Sequence, residues 1–229
     1  MQAKNECLSK RVPLNFSIEK ARKIQMKISK RIVTEDRFSS DIKLVAGVDV
    51  SYGGGSALAS VVVLNYDTLE VVEVKYDQVK EKFPYVSTLF LFREASAILK
   101  VLQKLESRPD VYLIDAHGLA HPYRCGLASY IGVIKKIPTI GVAKNRLCGR
   151  VGEYFNDIAP ILENGETIGV EMVTKPREKP VYVSIGNMIC LNSAIVVVRY
   201  CTKNHRIPEP IRIAHKTLIK ERLRLGVNK

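Results

Sequence analysis

The sequence lacks the features that define disulfide-rich, zinc-binding and membrane-spanning proteins. Its five cysteines are odd in number and include no C-x-x-C pair, which fits neither a disulfide framework nor a zinc knuckle: Cys7, Cys125, Cys148, Cys190 and Cys201. No stretch reaches the roughly 18 consecutive apolar residues of a transmembrane helix. Residues 1–12 contain no apolar segment typical of a signal peptide. We therefore expect a soluble protein of the reducing cytoplasm, without a membrane partner.

Acidic residues are scarce relative to basic ones. The chain has 36 Lys and Arg against 23 Asp and Glu, a net charge of +13. Such an excess is typical of proteins that bind nucleic acid or an anionic membrane, and of these we expect nucleic acid; the alternative is a basic soluble protein whose charge has no specific role. Hydrophobic residues make up 46% of the 229 positions, enough for a packed core. The length allows one large domain or two small ones, and we expect a single monomeric domain over 1–229.

Hydrophobic periodicity predicts a mixed α/β protein. Three Val-rich extended segments joined by short turns predict an antiparallel meander, after which strands alternate with helices. The predicted helices are 17–32, 87–106, 124–136, 191–202 and 210–225. The predicted strands are 44–51, 57–66, 70–79, 111–115 and 139–143, followed by a second meander at about 166–186. The order βββαβαβ describes a mixed sheet, antiparallel on one side, parallel on the other and covered by helices.

Two of these helices have a clear apolar stripe. The first begins after a plausible N-cap at Ser17, and its stripe is predicted at Ile18, Ala21, Ile24, Ile28 and Ile32. The second, 87–106, has a predicted stripe at Leu89, Phe92, Ala95, Leu99 and Leu102. Glu94 lies one residue from that stripe, so an acidic group is expected close to the core.

Two aspartates end short apolar runs that read as buried strands. Asp49 follows residues 44–48 and Asp115 follows residues 111–114. Carboxylates at the carboxyl ends of neighbouring strands would repel each other unless a cation neutralised them. With Glu94 as a third oxygen ligand and no histidine-cysteine cluster, the set suits Mg²⁺ or Mn²⁺ better than zinc. The alternative is that each aspartate is an ordinary turn residue.

The segment after Asp115 contains two histidines four positions apart, His117 and His121. A zinc-binding helix is disfavoured, because Gly118 and Pro122 oppose a helix and no Glu follows His117 to act as general base. A loop is the better interpretation. In a loop, Gly118 allows close approach of a ligand and the histidines can donate hydrogen bonds to phosphate or base.

Together these segments resemble the endonuclease V family, in order and at similar spacing. The matching segments are 45–52 (VAGVDVSY), 92–94 (FRE), 115–122 (DAHGLAHP) and 141–144 (GVAK). Two more look like the family's later motifs, 182–187 (YVSIGN) and 212–215 (RIAH). The resemblance covers about residues 15–220, nearly the whole chain.

The resemblance implies a ribonuclease-H-like fold and a Mg²⁺-dependent endonuclease that recognises deoxyinosine, the product of adenine deamination, in DNA. Such an enzyme nicks the second phosphodiester bond 3′ to the lesion and leaves 3′-hydroxyl and 5′-phosphate ends. Carried over by motif, Asp49, Glu94 and Asp115 bind the metal and are catalytic. Lys144 and His215 stabilise phosphate charge or assist proton transfer; the alternatives are a solvated lysine and a helix-surface histidine.

The resemblance also implies which residues contact the lesion. Tyr85, after a rigid proline, resembles the start of the family's wedge, where an aromatic face can replace base stacking. Gly118, Leu119 and His121 belong to the loop expected to hold the everted base. For Tyr85 the alternative is packing at a helix N-terminus. A deaminated base costs less to extrude than a correctly paired one, which contributes to selectivity.

The wedge departs from the family pattern. The usual Pro-Tyr-Ile-Pro-Gly is Pro84-Tyr85-Val86-Ser87-Thr88 in this chain. Thr88 introduces a branched side chain where a glycine would let the backbone approach the base. An altered lesion preference, either relaxed or narrowed, is the resulting hypothesis.

Two other functions remain open from the sequence. One is a different nuclease of the same fold, above all one that cleaves inosine-containing RNA. The other is a basic nucleic-acid-binding module without catalysis, which the retention of three acids argues against. The basic last helix (Lys216, Lys220, Arg222, Arg224) either faces nucleic acid or is simply solvated.

Overall fold

The structure is a computed structural model that describes residues 16–81 and 83–226, with only the backbone described at Ser87. Cys7 and the segment 1–12 lie outside the described residues. Nine strands and five α-helices are found in the described part. The helices are α1 Ile18–Ser29, α2 Phe90–Leu102, α3 Leu127–Lys135, α4 Leu191–Cys201 and α5 Glu209–Arg224. The first four strands are β1 Leu44–Gly53, β2 Ser56–Asn65, β3 Val71–Lys80 and β4 Val111–Ile114. The other five are β5 Thr139–Ala143, β6 Arg150–Val151, β7 Ile158–Glu163, β8 Glu166–Met172 and β9 Val181–Asn187.

All nine strands belong to one sheet, in the order β3-β2-β1-β4-β5-β9-β8-β7-β6. Strands β1, β4 and β5 are parallel neighbours, and every other pairing is antiparallel. The predicted α/β class and the βββαβαβ core are therefore confirmed. The second meander is longer than predicted, because β6 and β7 precede it. Neither strand was predicted. Strand β7 contains Pro160, a residue that disfavours a strand, and β6 has too few residues to show an alternating pattern.

Helices cover both faces of the sheet. On one face α2 and α3 bury a cluster that includes Val48, Ile98 and Ile131. On the other face α4 and α5 bury a cluster that includes Val45 and Ile211. Strands β1 and β2 are therefore buried on both sides, which explains why their sequences are almost continuously apolar.

A single glycine brings α5 against the sheet. A Cβ atom at Gly47 would lie 2.0 Å from the carbonyl carbon of Pro210, the second residue of α5. Only glycine allows the two backbones to approach so closely. The contact places the following turns of α5 over β1 and carries His215 to the aspartate two positions beyond Gly47.

The position of Asp49 differs from the prediction. Asp115 directly follows β4, but Asp49 lies inside β1, which continues to Gly53 because its second half pairs with β2 in a hairpin. Strand β4 ends at Ile114, which is in register with Val48. On the side of β4, Asp49 therefore lies just beyond the last pairing, beside Asp115.

Within residues 16–81 and 83–226, no helix is both long enough and apolar enough to cross a membrane.

Candidate active site

Three acids converge at the end of the parallel part of the sheet. The Asp115 backbone N–H donates to the Val48 carbonyl at 3.0 Å, which continues the β1–β4 ladder by one residue and sets Asp115 next to Asp49. Glu94 approaches from α2, which packs on this face. Asp49 and Glu94 are 8% and 4% exposed, so neither carboxyl can rely on bulk water for solvation.

Glu94 lies in the middle of the buried face of α2, not beside it. The buried residues of the helix include Leu91, Glu94, Ile98 and Val101, whereas Phe92 and Leu99 are only partly buried. The predicted stripe is therefore confirmed at Leu89, Ala95 and Leu102 and wrong at Phe92 and Leu99. An acid on the inward face of an apolar helix is costly unless it has a partner, which makes Glu94 a stronger functional candidate than the sequence indicated.

The acids perturb one another electrostatically. Burial raises the pKa of Glu94 well above its usual value, and the nearby charge of Asp49 raises it further. Burial and then Asp49 likewise raise the pKa of Asp115, although Lys144 opposes both effects. In each case the charged form is disfavoured because negative groups crowd a poorly solvated space. A bound cation would relieve this repulsion.

Two basic side chains contact the aspartates. His215 Nδ1 lies 2.7 Å from Asp49 Oδ2, and this hydrogen bond raises the pKa of His215. The Lys144 ammonium, one residue beyond β5, donates to Asp115 Oδ2. Burial would lower the pKa of Lys144, but Asp115 outweighs it and raises the pKa. The structure thus brings together the five residues proposed as catalytic; their roles remain predictions.

The acids fit a hard cation by chemistry without forming a ready-made cage. Within the described residues, no three His, Cys, Asp or Glu side chains are placed to hold a metal ion as they stand. Asp49 and Asp115 instead point oxygens at His215 and Lys144. The charge of Asp49, however, raises the pKa of both Glu94 and Asp115, so the three carboxyl groups lie in one electrostatic environment. Buried oxygen donors of this kind suit Mg²⁺ or Mn²⁺.

A cavity of about 270 Å³ opens beside these acids. Its lining includes Gln25, Tyr85, Asp115, His117, His121 and Lys144. Tyr85 is 61% exposed at the rim, where its ring makes an edge contact with Phe90 at 5.7 Å between centroids. The cavity shares a wall with the acid cluster through Asp115. A group held in the cavity would therefore lie close to the acids.

The two histidines of the cavity are neutral. Burial lowers the pKa of His117 and of His121 to about 4 each. In the turn that follows, His121 Nδ1 accepts a hydrogen bond from the Tyr123 backbone N–H at 3.1 Å. A neutral imidazole that accepts at Nδ1 carries its proton on Nε2. At physiological pH these side chains therefore contribute no positive charge to the cavity.

Gly118 and Leu119 lie away from the cavity lining. A Cβ at Gly118 would be 2.1 Å from the Ile185 carbonyl oxygen, so the glycine permits close contact with β9. The Leu119 N–H donates to the same carbonyl at 2.7 Å. The close approach predicted for Gly118 is therefore to β9 within the fold. Their proposed contact with substrate stays a prediction.

Comparison with known proteins settles the family. The Endonuclease V family model matches residues 26–216, which include all five acidic and basic residues of the site. The chain belongs to the Endonuclease V family. Endonuclease V of Thermofilum pendens is 44% identical over 206 residues, covering 90% of this chain and 89% of that protein. Endonuclease V of Roseiflexus sp. is also 44% identical over 206 residues, covering 88% and 92%.

Solved Endonuclease V structures share the fold. The crystal structure of the Streptomyces avermitilis enzyme has a TM-score of 0.84 at 33% identity and covers 94% of this chain and 98% of that one. Ciona intestinalis Endonuclease V, in complex with a 24mer DNA containing an inosine followed by a ribo-adenosine, has a TM-score of 0.83 at 33% identity. The match to the Ciona intestinalis structure covers 91% of this chain and 98% of that one.

Gln25 lines the cavity of this Endonuclease V and joins two segments beside it, and it was not predicted from the sequence. The buried face of α1 is Ala21, Gln25 and Ile28, whereas Ile24 is 43% exposed, so the predicted stripe was wrong at Ile24. Gln25 Nε2 donates to the Thr88 carbonyl at 2.9 Å and to the Cys125 carbonyl at 3.2 Å. Its Oε1 is buried without a partner. A glutamine in an otherwise apolar stripe was the available signal.

Thr88 has a structural role next to the predicted wedge. It lies in the 3₁₀ turn Ser87–Leu89, and its carbonyl is the acceptor for Gln25. Its hydroxyl is buried without a hydrogen bond. The Thr88 side chain therefore carries an unsatisfied polar atom close to the cavity.

Proposed function

We propose that this protein is a Mg²⁺-dependent deoxyinosine 3′ endonuclease that hydrolyses the second phosphodiester bond 3′ to the lesion. One observation carries the proposal: Asp115 belongs both to the acid cluster and to the wall of the 270 Å³ cavity. A base held in the cavity would bring its own strand to the acids. The inosine-containing DNA bound by the Ciona intestinalis relative supports deoxyinosine as that base.

The reaction is hydrolysis of a phosphodiester. The oxygen of water bonds to phosphorus, the bond from phosphorus to the 3′ oxygen breaks, and that oxygen takes up a proton. Asp49, Glu94 and Asp115 would hold the cation. Bound Mg²⁺, with Mn²⁺ as a substitute, activates water and stabilises the leaving oxygen in reactions of this class.

The two basic residues assist through different aspartates, Lys144 beside Asp115 and His215 beside Asp49. Lys144 carries a positive charge beside Asp115 and stabilises the negative charge of the phosphate in the transition state. His215, held by Asp49 and half exposed, can move a proton between the site and solvent. Neither role needs a rearrangement of the backbone, because β5 and α5 already place both side chains.

The cavity supplies lesion recognition. An everted base that enters past Tyr85 would leave a gap in the base stack. The exposed ring can fill that gap, and its stacking on the neighbouring base would stabilise the complex by about 1–3 kcal/mol. His121, neutral and held by the turn, would line the space that the base occupies. A hypoxanthine pairs weakly in DNA and is therefore extruded at lower cost than a normal base.

Cleavage of inosine-containing RNA is the second candidate. The nucleic acid bound by the Ciona intestinalis relative has a ribo-adenosine directly after the inosine, so a ribonucleotide is accommodated there in that protein. The 2′-hydroxyl is the group that allows a protein to distinguish RNA from DNA at one position.

Chelator-sensitive nicking of a single-inosine DNA duplex is the expected result. The experiment compares inosine-containing DNA and RNA, as duplexes and single strands, with Mg²⁺ or with a chelator, and maps the cut. Cleavage of DNA one nucleotide beyond the inosine supports the proposal. Cleavage of RNA alone would move it to the second candidate, and binding without any cleavage would identify a non-catalytic binding protein.

Replacement Thr88→Gly tests the altered wedge. We expect the variant to change the ratio of nicking at deoxyinosine to nicking at deoxyuridine and abasic sites, because a branched side chain with a buried, unsatisfied hydroxyl is removed beside the cavity. Rates on the three lesions are compared for both proteins at equal enzyme concentration. An unchanged ratio would refute the hypothesis that Thr88 shapes lesion preference.

A further inference from the structure

The outward side of α1 is basic and partly apolar. The helix carries Lys20, Arg22, Lys23 and Lys27 with Glu19 as its one acid. Two large apolar side chains on it are also solvent-exposed, Ile24 at 43% and Met26 at 45%. None of the residues proposed above as catalytic lies on this face.

The lysines form one row along the helix. Lys20, Lys23 and Lys27 recur at spacings of three and four, which places them on the same face. They span about 10 Å of helix axis at about 1.5 Å per residue. Lys23 pairs with Glu19 at 2.6 Å, but both side chains are largely exposed, so the pair is weak and Lys23 can bind another anion.

A groove of about 500 Å³ runs beside this row, between α1 and the turn that carries Tyr123. It is lined by Ile18, Glu19, Arg22, Lys23, Met26 and Tyr123. The Arg22 guanidinium lies over the Tyr123 ring, 5.2 Å from its centroid. An aromatic ring, a planar cation and a polarizable thioether make a surface on which a nucleobase can stack.

The groove adjoins the lesion cavity through two shared elements. Helix α1 contributes Gln25 to the cavity and Arg22 to the groove. The turn contributes His121 to the cavity and Tyr123 to the groove, and the two residues are hydrogen-bonded at 3.1 Å. A strand with one base in the cavity can therefore reach the groove within a few nucleotides.

We propose that this groove binds the nucleic-acid strand that flanks the lesion. Lys20, Lys23 and Lys27 contact its phosphates, and Tyr123 with Arg22 supports one of its bases. The inference rests on the proposed function, because it takes the lesion to occupy the adjoining cavity. The groove has positive charge along one side and an aromatic ring in its lining. These features match a polyanion that also carries flat apolar rings.

The test measures how salt affects binding of a labelled single-stranded DNA with one inosine. The triple variant Lys20→Gln, Lys23→Gln, Lys27→Gln is compared with Lys135→Gln, an exposed lysine at the end of α3. The logarithm of the binding constant falls linearly with the logarithm of the salt concentration; we call the magnitude of this dependence the salt slope. Removing one lysine–phosphate pair reduces the salt slope by about 0.7. We expect the slope to fall by about 2 in the triple variant and to stay unchanged in Lys135→Gln.

The stacking contact is tested separately at Tyr123. We expect Tyr123→Ala to bind the same strand about tenfold more weakly and Tyr123→Phe to bind like the parent, since the ring and not the hydroxyl supports the base. Strands with the inosine at the 5′ end or the 3′ end identify the flank, because the variants lose their effect when that flank is missing.

Two results would overturn the inference. One is an unchanged salt slope in the triple variant with an unchanged unfolding temperature. The other is loss of binding to anionic lipid vesicles in that variant without any change for DNA, which would assign the face to a membrane. Failure of the proposed function is a different outcome: the parent protein would bind DNA through the groove, with the same salt dependence, but would not distinguish or nick inosine.

Discussion

Replacement Asp115→Asn is expected to reduce nicking of inosine-containing DNA by about 100- to 1,000-fold while leaving the protein as stable as before or more stable. Loss of one charged group that stabilises the transition state has an effect of that size. Stability does not fall, because burial and Asp49 raise the pKa of Asp115, which means that the fold disfavours its charged form. A neutral amide of the same shape removes that penalty. Single-turnover nicking and thermal unfolding measure the two effects.

Glu73→Gln is the matched control, with the opposite expected pattern. Burial would raise the pKa of Glu73, but hydrogen bonds from Ser107 and Glu106 outweigh it and lower the pKa to about 2. The fold thus favours the charged form, and we expect the variant to lose about 1–3 kcal/mol of stability. Nicking should be retained, because Glu73 lies on β3 and binds the loop after α2. A clear loss of stability in Asp115→Asn, or full nicking activity, would contradict the assignment.

Replacement Gly47→Ala is expected to lower both stability and nicking. The added methyl group would lie 2.0 Å from a backbone carbon of Pro210, so α5 must move away from β1. Overpacking of this kind costs about 1–3 kcal/mol, and more where neither backbone can yield. The shift would also separate His215 from Asp49, which are 2.7 Å apart in the native fold. Urea unfolding and the nicking rate of the remaining folded protein test the two parts.

Gly152→Ala provides the comparison at a less constrained glycine. The nearest atom to its added Cβ is Pro160 Cγ at 3.0 Å, a side-chain atom on the remote β7. We expect a smaller loss of stability and no change in nicking. If Gly47→Ala behaved like Gly152→Ala in both measurements, the contact between α5 and β1 would not be what positions His215.

Much of the fold could be predicted because its signals are local. Strand β5 was predicted with its observed bounds, and α4 and α5 to within one residue at each end. Runs of Val and Ile between turns, and apolar residues at helical spacing, need no knowledge of distant contacts. Strand β7 could not be found in this way, because Pro160 breaks the local pattern and only its pairing with β6 and β8 makes it a strand.

The main residues of the candidate site were predicted from the sequence, but their spatial arrangement was not. Asp49, Glu94 and Asp115 were identified from strand ends, helix position and family resemblance. The predicted stripe on α2 was wrong at Phe92 and Leu99 and left Glu94 beside the buried face, because a stripe inferred from sequence ignores which neighbours pack on the helix. Gln25 was missed for the same reason, since its carbonyl partners are 63 and 100 residues away.

The sequence by itself determined the α/β class, the three acids and the membership in a family of endonucleases, because composition, periodicity and motif spacing are properties of the chain alone. Only the tertiary structure decided that His215 contacts Asp49, that Gln25 joins the 3₁₀ turn Ser87–Leu89 to Cys125, and that a basic groove adjoins the cavity. These contacts join residues far apart in the chain. Their geometry depends on which backbones can approach closely, as at Gly47, and that is settled only when the elements pack.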